Sequence, residues 1–168
     1  LKSTTLFSLP RGVFSFALLT NRSHHPSMAE IIDLGGVTVR AVLAGRLRLD
    51  GGAMFGVLPK SLWAKLLEPD DRNRIPLAMW CLLIDAGGER TLIETGFGGK
   101  VDDKMRDIFD LAESPGLVGG LEAAGIQAGE IDRVILTHLH QDHAGGTTLR
   151  AGDGYAPTFP NARYIVQD

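Results

Sequence analysis

Ile131-Asp132-Arg133-Val134-Ile135-Leu136-Thr137-His138-Leu139-His140-Gln141-Asp142-His143-Ala144-Gly145-Gly146 is the stretch from which the rest of the chain can be read. Val134-Ile135-Leu136 is a short apolar run of the kind that forms a buried strand. Four potential metal ligands, His138, His140, Asp142 and His143, follow within six residues. A strand running into a short loop fixes where such side chains point, as a catalytic metal centre requires. Imidazole nitrogen and carboxylate oxygen suit zinc, manganese, iron or cobalt, and the spacing is too compact for a zinc finger, which also expects cysteines. The bland alternative is a polar loop that happens to be rich in histidine. Against it, three of the chain's five histidines fall in this one stretch.

Outward from that stretch, 168 residues with 44% hydrophobic content and 21 glycines fit a loop-rich globular chain with a sizeable core. The 17 basic and 20 acidic residues are well mixed and sum to a formal charge of −3, so electrostatics gives no reason to expect nucleic acid as a partner. The single cysteine, Cys81, lies in the apolar run Met79 to Ile84 and reads as a buried structural thiol. That usage is compatible with a cytoplasmic location, and secretion stays open.

Residues 1–27 match the remainder poorly. Lys2 followed by the apolar run Val13 to Leu19 invites a targeting-segment reading, but Ser15 interrupts the run and no small-residue cleavage site follows it. The run is too short to cross a membrane. A start at Met28, with the preceding residues as upstream read-through, is the other explanation. His24 and His25 lack a scaffold that would hold them as ligands.

From Ile31 the pattern sharpens. Ile31 to Val42, broken by Gly35-Gly36, reads as an edge hairpin, and Leu47 to Val57 as a glycine-punctuated loop without the lysine and hydroxyl pair of a phosphate-binding loop. Pro59 opens a helix expected over 60–67 with Leu62, Trp63, Leu66 and Leu67 on its apolar face. Residues 68–74, with Arg72 and Arg74, read as a solvated loop. Ile75 to Ile84 is apolar enough for a strand covered on both faces, and with 90–95 it makes a hairpin. Helices are expected over 102–111 and 117–124, a surface loop over 147–155, and a last strand from Ala162.

The pattern HxHxDH at His138, His140, Asp142 and His143 resembles the signature of the metallo-beta-lactamase superfamily, α/β proteins with an αββα sandwich fold. The stretch Leu49-Asp50-Gly51-Gly52-Ala53-Met54-Phe55-Gly56-Val57-Leu58-Pro59-Lys60, with Phe159-Pro160-Asn161-Ala162, is similar to the narrower branch of quorum-quenching N-acyl-homoserine lactonases, YtnP-like proteins in particular. The resemblance runs from about Ile31 onward. It implies a partial sandwich, with residues 28–168 as the first αβ half, a mixed sheet and flanking helices; the second half would supply further histidines and a metal-bridging aspartate.

By the same resemblance, His138 and His140 hold one divalent ion and Asp142 and His143 a second, with zinc the expected metal. The implied reaction is the opening of a lactone or related carboxylic ester by attack of a hydroxide held by the two metals, with Asp142 helping to pass a proton to the leaving oxygen. Thioesters, phosphotriesters and sulfate esters are alternatives on the same core, as is a catalytically incomplete metal-binding fragment. The implied partner is a small-molecule ester or lactone, with neither nucleic acid nor membrane; a homodimer is left open. Met54 and Phe55 are either walls of the acyl pocket or core anchors of their loop.

One position departs from the pattern. Many superfamily members carry an aspartate where Ile93-Glu94-Thr95-Gly96 has Glu94, and that carboxylate accepts a hydrogen bond from a metal-binding histidine. Glu94 keeps the charge but reaches farther by about 1.5 Å, so it can serve only if the backbone adjusts.

Overall fold

The apolar runs become adjacent strands of one sheet. The computed structural model describes residues 31–112 and 115–166. The expectations for residues 1–27, for His24 and His25, and for a start at Met28 lie outside them. Among the described residues the strands are β1 (Ile32–Asp33), β2 (Val37–Asp50), β3 (Arg74–Ala86), β4 (Glu89–Ile93), β5 (Arg133–Leu136), β6 (Thr148–Ala151), β7 (Gly154–Pro157) and β8 (Arg163–Val166). The helices are α1 (Gly51–Phe55), α2 (Lys60–Trp63), α3 (Asp103–Phe109), α4 (Gly116–Ala123) and α5 (Gln141–Ala144).

Six strands form a mixed sheet in the order β1-β2-β3-β4-β5-β8, and β6 and β7 form a separate pair. Neighbours from β1 to β4 are antiparallel; tight turns join β1 to β2 and β3 to β4, whereas α1 and α2 lie between β2 and β3. The pairs β4 with β5 and β5 with β8 are parallel, which demands crossover connections. α3 and α4 belong to the first of these crossovers. α4 and α3 both contact β2, and Leu117 and Leu121 of α4 join Val42, Leu83, Leu92, Val134 and Phe159 in the core. This is the mixed sheet with flanking helices expected of a first αβ half. Among the described residues no helix is long and apolar enough to cross a membrane.

Four expectations change. The 47–57 loop is instead the end of β2 followed by α1, because Asp50 caps that helix: its Oδ1 accepts from the Ala53 N–H at 2.8 Å and its Oδ2 from Asn73 Nδ2 at 2.8 Å. The Asn73 amide, with the Ala53 N–H, holds the Asp50 carboxyl below the usual carboxylate range. The helix expected over 60–67 stops at Trp63, which turns inward, while Leu62 and Leu66 stay exposed.

Residues 68–74 are docked rather than free. Arg74 bonds Asp70 and donates to the carbonyls of Asp107 and Ile108, and Arg72 pairs with Asp107, so both arginines hold the C-terminal end of α3. Finally, the loop expected over 147–155 is the hairpin β6–β7, turning at Gly152 with φ +56°.

Candidate metal centre

β5 ends at Leu136, and the next seven residues carry all four predicted ligands. His140 precedes α5 with extended backbone, so the chain turns sharply and His143 comes back beside His138. The His138 and His143 rings lie 4.0 Å apart by centroid, and His138 and His140 4.6 Å apart at 78°.

The nitrogen and oxygen atoms sort into two pairs. His138 Nε2 is 3.1 Å from His140 Nδ1, and His143 Nε2 is 3.4 Å from Asp142 Oδ2. Two ligands on one tetrahedral ion, each about 2.0–2.1 Å from it, sit roughly 3.3–3.4 Å from one another. Each pair therefore has the spacing of two donors sharing an ion. Among the described residues no group of three or more His, Cys, Asp or Glu side chains converges on a common point. The donor set fits a metal in chemistry and pair spacing, and it is partial.

Glu94 follows β4 in the left-handed region, with φ +66°. Its Oε2 lies 3.1 Å from His143 Nδ1, and its Oε1 accepts from the Thr137 N–H at 2.8 Å. Nearby, burial pushes the Cys81 thiol up to about 12, and the Glu94 charge adds to the shift. Cys81 is thus the inert core thiol its apolar surroundings predict.

Several residues that shape the loop were not singled out in the sequence. Thr95, 1% exposed, donates both its N–H and its hydroxyl to the His143 carbonyl, each at 2.8 Å. Lys100 Nζ bonds the Gly145 carbonyl. The backbones of 95–98 and 145–146 meet so closely that a Cβ on Gly146 would lie 2.2 Å from the Thr95 carbonyl oxygen, and one on Gly145 would lie 2.3 Å from that of Phe97. The paired glycines in Gly96-Phe97-Gly98 and Gly145-Gly146 were the available signal.

A cleft of about 190 Å³ opens beside His140 and Asp142, with Leu47, Leu49, Phe97 and Phe109 as apolar walls. Met54 is half exposed on α1, and Phe55 stacks on Trp63 with ring centroids 5.3 Å apart. Neither lines that cleft.

A sequence profile described as Metallo-beta-lactamase superfamily matches residues 74–162, more than half the chain. A probable metal-dependent hydrolase from Staphylococcus aureus is 32% identical with a TM-score of 0.72, over 81% of this chain and 48% of that one. Two more distant structures share the fold: AidC, a dizinc quorum-quenching lactonase in complex with its homoserine product, is 24% identical with a TM-score of 0.60, over 80% of this chain and 43% of that one. The hydrolase AbOPH is 23% identical with a TM-score of 0.63, over 84% and 45%. No curated protein matches the chain. The chain spans about half the length of these structures. With the histidine-aspartate loop at the end of β5 and the profile match across the sheet that carries it, the chain belongs to the metallo-beta-lactamase superfamily.

Proposed function

We propose that this chain supplies one side of the centre of a divalent-metal hydrolase, catalytically incomplete with these residues alone, and that the complete protein opens a carboxylic ester, a lactone ring foremost. One observation carries this: two donor pairs, His138 with His140 and Asp142 with His143, stand on a single loop, and among the described residues neither reaches the three donors that a catalytic site needs. Divalent ions held there supply a Lewis acid for the ester carbonyl and make a water acidic enough to attack it.

The chain's own groups have distinct tasks in this reading. The imidazoles of His138 and His140 offer lone pairs to one ion, and Asp142 and His143 to the other. Glu94 accepts a hydrogen bond from the Nδ1–H of His143 and so leaves the Nε2 lone pair free for a metal. The walls formed by Leu47, Leu49, Phe97 and Phe109 take up the apolar part of the ester and exclude water from it. Asp142 borders that cleft and, with its side chain about one-third exposed, would help to pass a proton to the leaving oxygen, its part as a metal donor keeping it from acting as the sole acid.

The test is metal content together with hydrolysis of acyl-homoserine lactones, simple esters and a thioester, measured on this chain and on a longer protein that contains it. The expected result is weak metal binding and little turnover by residues 1–168, and two metals with preferential lactone turnover in the longer protein. Tight binding of two ions by residues 1–168 would overturn the incompleteness. Two ions without lactone turnover would return the substrate to the thioester, phosphotriester or sulfate-ester classes.

A further inference from the structure

We infer that Thr137 is a positioning residue: its hydroxyl accepts the Nδ1 proton of His138 and so holds that ring with its Nε2 lone pair toward the metal. The inference rests on the metal-centre reading above. Thr137 Oγ1 lies 2.9 Å from His138 Nδ1. The Thr137 N–H donates to Glu94 Oε1 at 2.8 Å, and the other oxygen of that carboxylate meets His143 Nδ1 at 3.1 Å. His143, Glu94, Thr137 and His138 thus form one continuous chain of contacts.

The chemistry of that chain is directional. A neutral imidazole carries one proton, and whichever nitrogen donates it leaves the other as the lone-pair donor. Both Nδ1 atoms in the chain face oxygens, one a carboxylate and one a hydroxyl. Both Nε2 atoms face the opposite way, toward His140 Nδ1 and Asp142 Oδ2. The Glu94 carboxylate therefore acts on both donor pairs, on His143 directly and on His138 through Thr137, whose backbone it pins. Threonine suits the task because its branched Cβ restricts χ1 and keeps the hydroxyl aimed along the strand end. His138 and His143 are thereby set in the same tautomer by one buried-side anchor that binds no metal itself.

The experiment compares T137V, which keeps the shape and the backbone N–H but removes the hydroxyl, with T137S, which keeps the hydroxyl. Zinc affinity is read by competition with a chromogenic chelator in the full chain, and the proton position on His138 by long-range proton–nitrogen spectra of the metal-free protein. T137V is expected to bind zinc roughly 10- to 100-fold more weakly, the range found when a group orienting a metal-binding histidine is removed. Its His138 should show mixed tautomers, while T137S keeps most of the affinity and the Nδ1–H form. Wild-type affinity and an unchanged tautomer in T137V would overturn the inference, as would equal losses in T137V and T137S. If T137V does not fold, T137A takes its place in the same comparison; failure of both to fold would also overturn it, because residue 137 would then be holding the backbone and not the ring. A wild-type chain that binds no divalent ion at all would sink the metal-centre reading instead, a result distinct from either of these.

Discussion

Two rows of side chains, one residue apart along the same strands, meet opposite environments. Leu83, Leu92, Val134 and Tyr164 are register partners across β3, β4, β5 and β8, and the first three are no more than 2% exposed beneath α4 and its neighbours. Leu82, Ile93, Ile135 and Ile165 are the next row on the other face, and Leu82 and Ile165 are 40% and 37% exposed. Trp80, two residues before Leu82, continues that apolar face at 40% exposure. Alternation in a strand puts successive residues on opposite faces, so the two rows differ in surroundings and hardly in chemistry. The sheet has the composition of an inside layer, with helices over one face and water over the other among the described residues. A contiguous apolar face of this kind is what a domain covers with a second layer.

The sharpest way to break that comparison is truncation of the covered row. Leu92→Ala should cost about 2–5 kcal/mol by urea unfolding, because the side chain is fully buried and its neighbours on two strands cannot close the gap. A loss below about 1 kcal/mol would mean that the two faces are not distinct in solution.

Where β4 ends the alternation stops, and Glu94 turns its carboxylate to two donors at once. Glu94→Gln should weaken zinc binding by roughly 10- to 100-fold, since an amide can accept from Thr137 or His143 but presents an NH₂ group to the other. Unchanged affinity by chelator competition would detach the strand end from the metal centre. Next in size is the exposed row: Leu82→Ala in residues 1–168 should cost less than about 1 kcal/mol, far below Leu92→Ala. A cost equal to that of Leu92 would show that the outer face is covered in this chain.

The smallest effect is chemical. Cys81, 1% exposed on the covered face, should resist a thiol reagent at pH 8 until the protein unfolds, whereas a cysteine placed at position 82 in a C81A background should react at once. Because burial raises the folded thiol to about 12, its contribution to stability is complete below the unfolded value near 8.5 and is lost as pH rises from there toward 12. A native-state reaction of Cys81 at pH 8 would contradict the burial.

The same alternation explains what the sequence discloses and what it hides. The metal loop is legible because rare residue types cluster there, and β3, β4 and β5 because their apolar runs have strand length. The course of β2 to Asp50 is hidden because a bulge between Leu43 and Gly45 breaks the alternation and Gly51-Gly52 imitate the end of a loop. α2 ends early because Trp63 packs against Phe55 and Gly51, a tertiary choice invisible in helical periodicity. The hairpin β6–β7 is mostly exposed, so it carries no buried stripe to announce it. At the site, the candidate ligands are local in sequence, whereas the ties from Glu94, Thr95 and Lys100 to the loop span more than 40 residues and follow only from strand pairing.

The glycine-to-backbone contact between 95–98 and 145–146 sets where this protein can diversify. No side chain can be accepted at Gly145 or Gly146 without expelling the strand end that seats His143. Random mutagenesis should therefore leave these two positions almost blank among active clones, while Leu49, a half-buried wall of the cleft outside that contact, accumulates substitutions. Under the proposed ester hydrolysis, selection for a new substrate would work on the walls of the cleft and leave this backbone contact fixed.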